Sequence, residues 1–204
     1  MNLLEIFKGT GSVGKAAKKM GFKNIISIDF DPIYTPTIET DILDWDYKKF
    51  YKETKFKPDF IWASPPCNTF SPLAYPLKER NTKSAVPYSE RAKIGTAILY
   101  KTLEIINFFL EINPKMGFCI ENPRGMMRND KKMKKLYRET TLYSLYGDIK
   151  RKPTDFWSNF EMNLKPTDTP TKKKTISVVD LPLDKRYSIP QKLIKKIFES
   201  FFNT

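Results

Sequence analysis

The sequence predicts an α/β protein built on a mostly parallel, doubly wound sheet. Three observations carry that expectation. Short apolar runs alternate with stretches of helical periodicity through the first half of the chain. A glycine-rich turn, Gly9-Thr10-Gly11-Ser12-Val13-Gly14, stands between the first run and the first helical stretch. Polar groups follow the later runs, at the carboxyl edge where open α/β sheets bind ligands.

The elements follow in order. Residues 3–7 read as a strand, 13–20 as a short helix and 24–29 as a second strand closed by the turn Asp31-Pro32. A third strand ends near Thr40-Asp41, and 44–54 read as a helix or irregular crossover. Residues 60–63 form a clear strand, 91–112 a long amphipathic helix and 116–120 another buried strand. Residues 141–146 and 155–157 are expected as further strands at the sheet edge. The stretch 163–175 is rich in Pro, Thr and Lys and reads as a loop, with Lys172-Lys173-Lys174 near its end. The last helix is expected to start at Ser188, as a cap, with Pro190 in its first turn. Its residues Ile189, Leu193, Ile194, Ile197, Phe198, Phe201 and Phe202 fall at helical spacing, as a core-facing stripe does.

Composition narrows the function. At 204 residues the chain has the size of one domain, and its 40% hydrophobic and 14% aromatic content is that of a folded globule. A net charge of +13 points to a polyanionic partner, nucleic acid first. The two cysteines, Cys67 and Cys119, make neither a disulfide framework nor a zinc site. No signal segment and no bilayer-length apolar run is expected, so the reading is cytoplasmic, without a membrane partner.

The glycine turn admits three ligands. Its glycines let the backbone approach a ligand closely, and the helix after it offers free N–H groups. Asp29, at the end of the second strand, can accept both hydroxyls of a ribose. A P-loop would need Ser or Thr after Lys15, and the residue is Ala16. A dinucleotide and S-adenosylmethionine both remain compatible with the ribose logic. Asp41 is placed to accept an adenine amino group.

The strongest signal is Ala63-Ser64-Pro65-Pro66-Cys67-Asn68-Thr69-Phe70-Ser71. It holds a cysteine on a stiff Pro-Pro turn at a strand end. The chain has no histidine, so no Cys–His pair can activate this thiol. The strand at 116–120 runs into Glu121-Asn122-Pro123, and Glu121 is expected beside Cys67 at adjacent strand ends. A nucleophilic thiol beside a carboxylic acid suits addition to an electron-poor ring, with the acid protonating a ring nitrogen. Cys119 lies within the apolar run and reads as a small buried hydrophobe.

This ordered series resembles the cytosine-C5 DNA methyltransferase family. The resemblance covers Ile6-Phe7-Lys8-Gly9-Thr10-Gly11, Asp29-Phe30-Asp31, Thr40-Asp41-Ile42, Pro65-Pro66-Cys67, Glu121-Asn122-Pro123 and the helix after Ser188. The stretch from Tyr146-Gly147 to Lys152-Pro153-Thr154-Asp155-Phe156-Trp157 is similar to short, phage-type members. The resemblance implies a Rossmann-like S-adenosylmethionine-dependent methyltransferase fold. It implies an S-adenosyl-L-methionine site formed by Phe7, Gly9, Thr10, Gly11, Ser12, Val13, Asp29, Phe30, Asp41, Ile42 and Pro65. It implies that Cys67 attacks C6 of a flipped cytosine and that Glu121 holds N3 and the exocyclic amine. Lys150, Arg151 and Lys152 are the expected source of positive charge for the thiolate, with Arg151 in the place of a family arginine. DNA is the implied partner, with RNA and a non-catalytic nucleic-acid-binding relative as alternatives.

One catalytic domain over 1–204 is expected, with 159–187 as a short basic segment where the family inserts a target-recognition domain. Lys165 to Lys174 would then clamp phosphates, or a partner would supply specificity. The long charged stretch 71–91 would be the loop that closes over the base.

Overall fold

The computed structural model describes residues 1–170 and 175–204, which leaves Lys172-Lys173-Lys174 outside the described residues. Seven strands form one sheet in the order β3-β2-β1-β4-β5-β7-β6. They are β1 (Asn2–Ile6), β2 (Asn24–Asp29), β3 (Ile38–Glu39), β4 (Phe60–Ala63), β5 (Gly117–Pro123), β6 (Tyr137–Leu142) and β7 (Pro153–Ser158). The first five in sequence pair in parallel, and β7 pairs antiparallel with both β5 and β6. The helices are α1 (Ser12–Lys19), α2 (Tyr47–Thr54), α3 (Glu90–Ile112), α4 (Leu183–Tyr187) and α5 (Gln191–Phe202).

The central strands read as apolar runs because both faces are covered. Their alternate residues feed two separate cores. Leu4, Ile61, Ala63, Phe118 and Ile120 pack under α3 with Leu99, Ile105 and Phe109. Leu3, Phe60, Trp62 and Cys119 pack on the opposite face with α1 and α5 residues. Aromatic rings dominate this second core, where Phe60 meets Phe198 edge-on at 5.0 Å and Phe22 meets Phe198 at 4.9 Å. Among the described residues no helix is long and apolar enough to cross a membrane.

Three expectations change. Residues 143–146 are not strand. Tyr143–Tyr146 is a 3-10 turn after β6, and its apolar spacing buries Tyr143 and Tyr146 beside α5. The strand at 155–157 is not at the edge either, since β7 is inserted between β5 and β6. Ser188 does not cap α5, whose cap position is Pro190 without a side-chain hydrogen bond. The Ser188 hydroxyl donates to Lys185 O at 3.0 Å and accepts from Lys150 Nζ at 3.0 Å. The buried Lys150 ammonium also takes Lys185 O at 2.6 Å and Ser188 O at 2.7 Å. A buried ammonium needs all its protons satisfied, and that demand outranks the cap.

The stretch 71–91 is anchored rather than free. Arg80 is 3% exposed and its guanidinium lies 3.7 Å from the Phe70 ring centroid. It donates to Thr69 Oγ1 at 2.9 Å, Ala85 O at 3.1 Å and Thr96 Oγ1 at 2.7 Å. The segment after β7 is likewise pinned at its start. Glu139 accepts the N–H groups of Met162, Asn163 and Leu164 at 2.7, 3.0 and 2.6 Å.

Phe198 is fully buried among Phe22, Phe60 and Trp62. Phe198→Ala is expected to cost about 3–5 kcal/mol of stability. Urea denaturation reads this directly, and a loss below about 1 kcal/mol would show that α5 is not integral to the fold.

Candidate active site

The sheet order reverses at β1, with β2 on one side and β4 on the other, which opens a crevice at the strand carboxyl ends. Three loops meet there. The first is the glycine turn after β1. Gly9 and Gly11 have φ of +47° and +67°, which side chains with a Cβ rarely adopt. Phe7 takes φ +63° just before them, a strained setting held by its surroundings. Asp29 Oδ2 accepts Gly9 N at 2.9 Å, and its Oδ1 accepts Asp31 N at 3.1 Å. The carboxylate therefore orients the turn as well as facing the crevice. The end of the chain closes this turn from behind: Ile189 N reaches Ser12 Oγ at 3.3 Å and Gln191 Nε2 reaches Ser12 O at 2.7 Å.

Glu5 lies under the same turn, 2% exposed. Burial pushes its carboxyl up to about 7, against the pull of the Gly14 N–H, Lys8 and the Val13 N–H. A Cβ at Gly14 would stand 2.8 Å from Glu5 Oε2, so the third glycine makes room for this acid. Sequence reasoning took Glu5 as one residue of a strand. The available signal was a carboxylate inside an apolar run.

The second loop carries Cys67 and the third follows β5. Asn122 Nδ2 donates to Pro65 O at 2.8 Å, fixing the Pro-Pro turn to β5. Met126 N donates to Phe70 O at 2.7 Å, an approach that a Cβ on Gly125 would block at 2.3 Å. Cys67 and Glu121 thus line one crevice, as expected from adjacent strand ends. Burial pushes the Cys67 thiol up, the Lys152 ammonium draws it back down, and the Glu121 carboxylate raises it again. Glu121 Oε1 lies 2.9 Å from the Tyr143 hydroxyl and 3.7 Å from Lys152 Nζ.

The crevice brings together Phe7, Gly9, Thr10, Ser12 and Val13 from the turn with Asp29, Phe30 and Pro65. Gly11 borders a neighbouring hollow on the other side of the turn. Asp41 and Ile42 stand outside the crevice wall: Asp41 is exposed with Oδ1 on Leu43 N at 2.8 Å, and Ile42 belongs to the α3-side core. Arg151 is also outside. Burial alternates through the residues that enter β7, with Lys150 and Lys152 buried and Arg151 exposed between them. Lys152 reaches the crevice, Lys150 is spent on the 185–188 turn, and Arg151 is solvent-exposed. Lys152 therefore takes the cationic place expected for Arg151.

The crevice wall carries three carboxylates, Glu5, Asp29 and Glu121, and two lysines, Lys8 and Lys152. In a chain of net charge +13 this lining stays close to charge balance, with Glu5 raised to about 7, which suits a zwitterionic ligand carrying a cation rather than a polyphosphate. Phe30, 69% exposed at the rim, offers an aromatic face to a ligand base. The residues present fit S-adenosyl-L-methionine, a sulfonium with an adenosine end.

Comparison with known proteins supplies the family. Residues 1–145 match the family model described as C-5 cytosine-specific DNA methylase. A "Probable DNA (cytosine-5)-methyltransferase" of Frog virus 3 (isolate Goorha) is 34% identical over 169 residues, which span 79% of this chain and 72% of that protein. The "Type II methyltransferase M.FnuDI" of Fusobacterium nucleatum is 28% identical over 145 residues, spanning 68% of this chain and 38% of that protein. Among solved structures, the Entamoeba histolytica methyltransferase EhMeth superimposes with a TM-score of 0.56 at 12% identity, over 88% of this chain and 62% of that one. The architecture is the Rossmann-like fold of S-adenosylmethionine-dependent methyltransferases.

The surroundings of the thiol set its titration. Cys67 alkylation by iodoacetamide is expected to reach its midpoint at a higher pH than a small-molecule thiol measured alongside. Lys152→Gln should move that midpoint further up and Glu121→Gln should move it down. Cys119 is fully buried and should stay unlabelled. A midpoint indifferent to Lys152→Gln would remove this lysine from the thiol's surroundings.

Proposed function

The chain belongs to the C-5 cytosine-specific DNA methylases, and from that membership we propose that it transfers a methyl group from S-adenosyl-L-methionine to C5 of cytosine in DNA. The observation that carries the proposal is the convergence of Cys67 and Glu121 on the crevice whose other end is the Asp29-bound glycine turn. Bound there, the cofactor would supply an electrophilic methyl group on a sulfonium. Asp29 would take the ribose hydroxyls, Phe30 and Pro65 would flank the adenine, and the turn from Phe7 to Val13 would receive the amino-acid end. The Asp29 carboxylate favours its positive charge.

The chain's own groups then act on a flipped cytosine. Lys152 stabilises the Cys67 thiolate as the thiol proton passes to the Glu121 carboxylate, and Sγ bonds to C6. Glu121 gives its proton to N3, so the electron pair of the opened C5–C6 double bond gathers on C5 without net charge on the ring. C5 would use that pair to accept the methyl group, whose bond to sulfur breaks with its electrons left on a neutral thioether. Loss of the C5 proton to a base returns a pair to the C5–C6 bond, the Sγ–C6 bond breaks, and Glu121 recovers the N3 proton. Residues 159–187 stand in for a recognition domain in this reading, and Lys165 supplies a phosphate contact from the pinned start of that segment.

Incubation with labelled S-adenosyl-L-methionine and DNA, then with RNA, is expected to place label on C5 of cytosine in DNA. Cys67→Ser should abolish transfer and Glu121→Gln should slow it about 10²–10⁴-fold. A 5-fluorocytosine oligonucleotide should trap a covalent adduct on Cys67. Transfer confined to RNA would correct the substrate. Cofactor binding without transfer to either polymer would sink the catalytic reading in favour of a nucleic-acid-binding relative.

A further inference from the structure

Tyr143 is a residue that the sequence does not announce. It sits on the turn after β6, two strands away from Glu121 in the sheet, with β7 between. Its side chain is fully buried, and it crosses toward β5 to donate its hydroxyl to Glu121 Oε1 at 2.9 Å. Burial, then the Glu121 carboxylate, hold the phenol far above its ordinary value, so the hydroxyl keeps its proton and remains a donor. The same ring has Lys152 Nζ 5.0 Å from its centroid on the crevice side and Lys150 Nζ at 5.3 Å. Lys152 Nζ lies 3.7 Å from the oxygen that Tyr143 already holds.

Both partners therefore converge on one oxygen of Glu121. Among the described residues no hydrogen bond reaches Oε2, and the side chain lines the crevice with Cys67. We infer that Tyr143 is a positioning residue for methyl transfer: by claiming Oε1 it leaves Oε2 as the oxygen that carries the proton to N3 of cytosine. The inference rests on the proposed cytosine chemistry and adds one assignment to it. A carboxyl group free to rotate would offer either oxygen, and its proton would reach the ring in only part of its orientations. A phenol suits the task because it donates one hydrogen bond and competes for no proton near neutrality. The charged groups around the pair are Lys152, Lys150 and Asp148, with the Cys67 thiol beside them, and Tyr143 makes the hydrogen bond to Oε1 that the lysines do not.

Tyr143→Phe keeps the ring, its packing and its contacts with the lysines, and removes only the hydroxyl. It is expected to lower kcat about tenfold or more, the usual weight of a hydrogen bond to a charged group. KM for S-adenosyl-L-methionine should stay within about twofold, because Tyr143 touches neither the glycine turn nor Asp29. The decisive measurement is single-turnover transfer in four proteins: unsubstituted, Tyr143→Phe, Glu121→Gln and the double variant. If Tyr143 acts through Glu121, its removal costs little once Glu121 is already Gln. Equal losses in both backgrounds, or a lowered melting temperature with kcat unchanged, would overturn the inference and leave the cytosine reading standing. Absence of transfer by the unsubstituted protein would overturn both.

Discussion

Parallel pairing of β4 between β1 and β5 is the constraint on which the site depends. Ile6 pairs with Ala63 and Ala63 pairs with Ile120, so the three strands deliver their next residues to one edge at one height. The glycine turn, the Pro-Pro-Cys run and Glu121 all begin from that line. A one-residue slip in either ladder would exchange the two faces of a strand. It would send Ile61 and Ala63 toward α1 and α5, and Phe60 and Trp62 toward α3. The two cores differ in shape, one filled by the side chains of α3 and the other by edge-on and tilted aromatic rings, so they reject that exchange. The register that packs the cores is thereby the register that assembles the crevice.

The loops on this edge are held by buried polar bonds rather than by length. Asn122 fixes Pro65, Arg80 fixes the stretch after Ser71 to α3, and Glu139 gathers three consecutive N–H groups after β7. Arg128 and Asp155 form a further ion pair beside β7, with Asp155 fully buried. Each bond leaves a costly orphan if one partner is lost. Charges that composition assigns to the surface are in several cases internal struts, acids such as Asp130 and Asp155 as well as the bases Arg80, Lys150 and Lys152.

The sequence carried the fold and half of the site because both are written at short range. Apolar runs locate strands, and a glycine turn or a Pro-Pro-Cys run declares its chemistry within a few residues. Glu121 was legible because strand ends share an edge. Arg151 could not be told from its neighbours locally: burial alternates at 150–152, and Lys152, not Arg151, lines the crevice. Ser188 looked like a cap because nothing local shows that Lys150 is buried against it. Tyr143 left no trace, since its partner is 22 positions away and on a strand two places across the sheet. Contacts of that kind follow from strand order, and β7's insertion between β5 and β6 is not a pattern in the residues.

The distribution of charge separates two binding tasks within one small chain. The crevice presents the Asp29 carboxylate and the buried Glu5 carboxyl at the glycine turn, and is mixed at Cys67, where Glu121 faces Lys152. Burial of the thiol works against its ionisation, and Lys152 offsets that only in part. In the proposed mechanism the Cys67 thiol is thus held back from ionising until substrate binds. Entry of a base that displaces water from the mouth strengthens the remaining attraction between the ammonium and a thiolate, because the intervening dielectric falls. Activation then depends on occupancy of the crevice, a substitute for the base that the composition denies to Cys67.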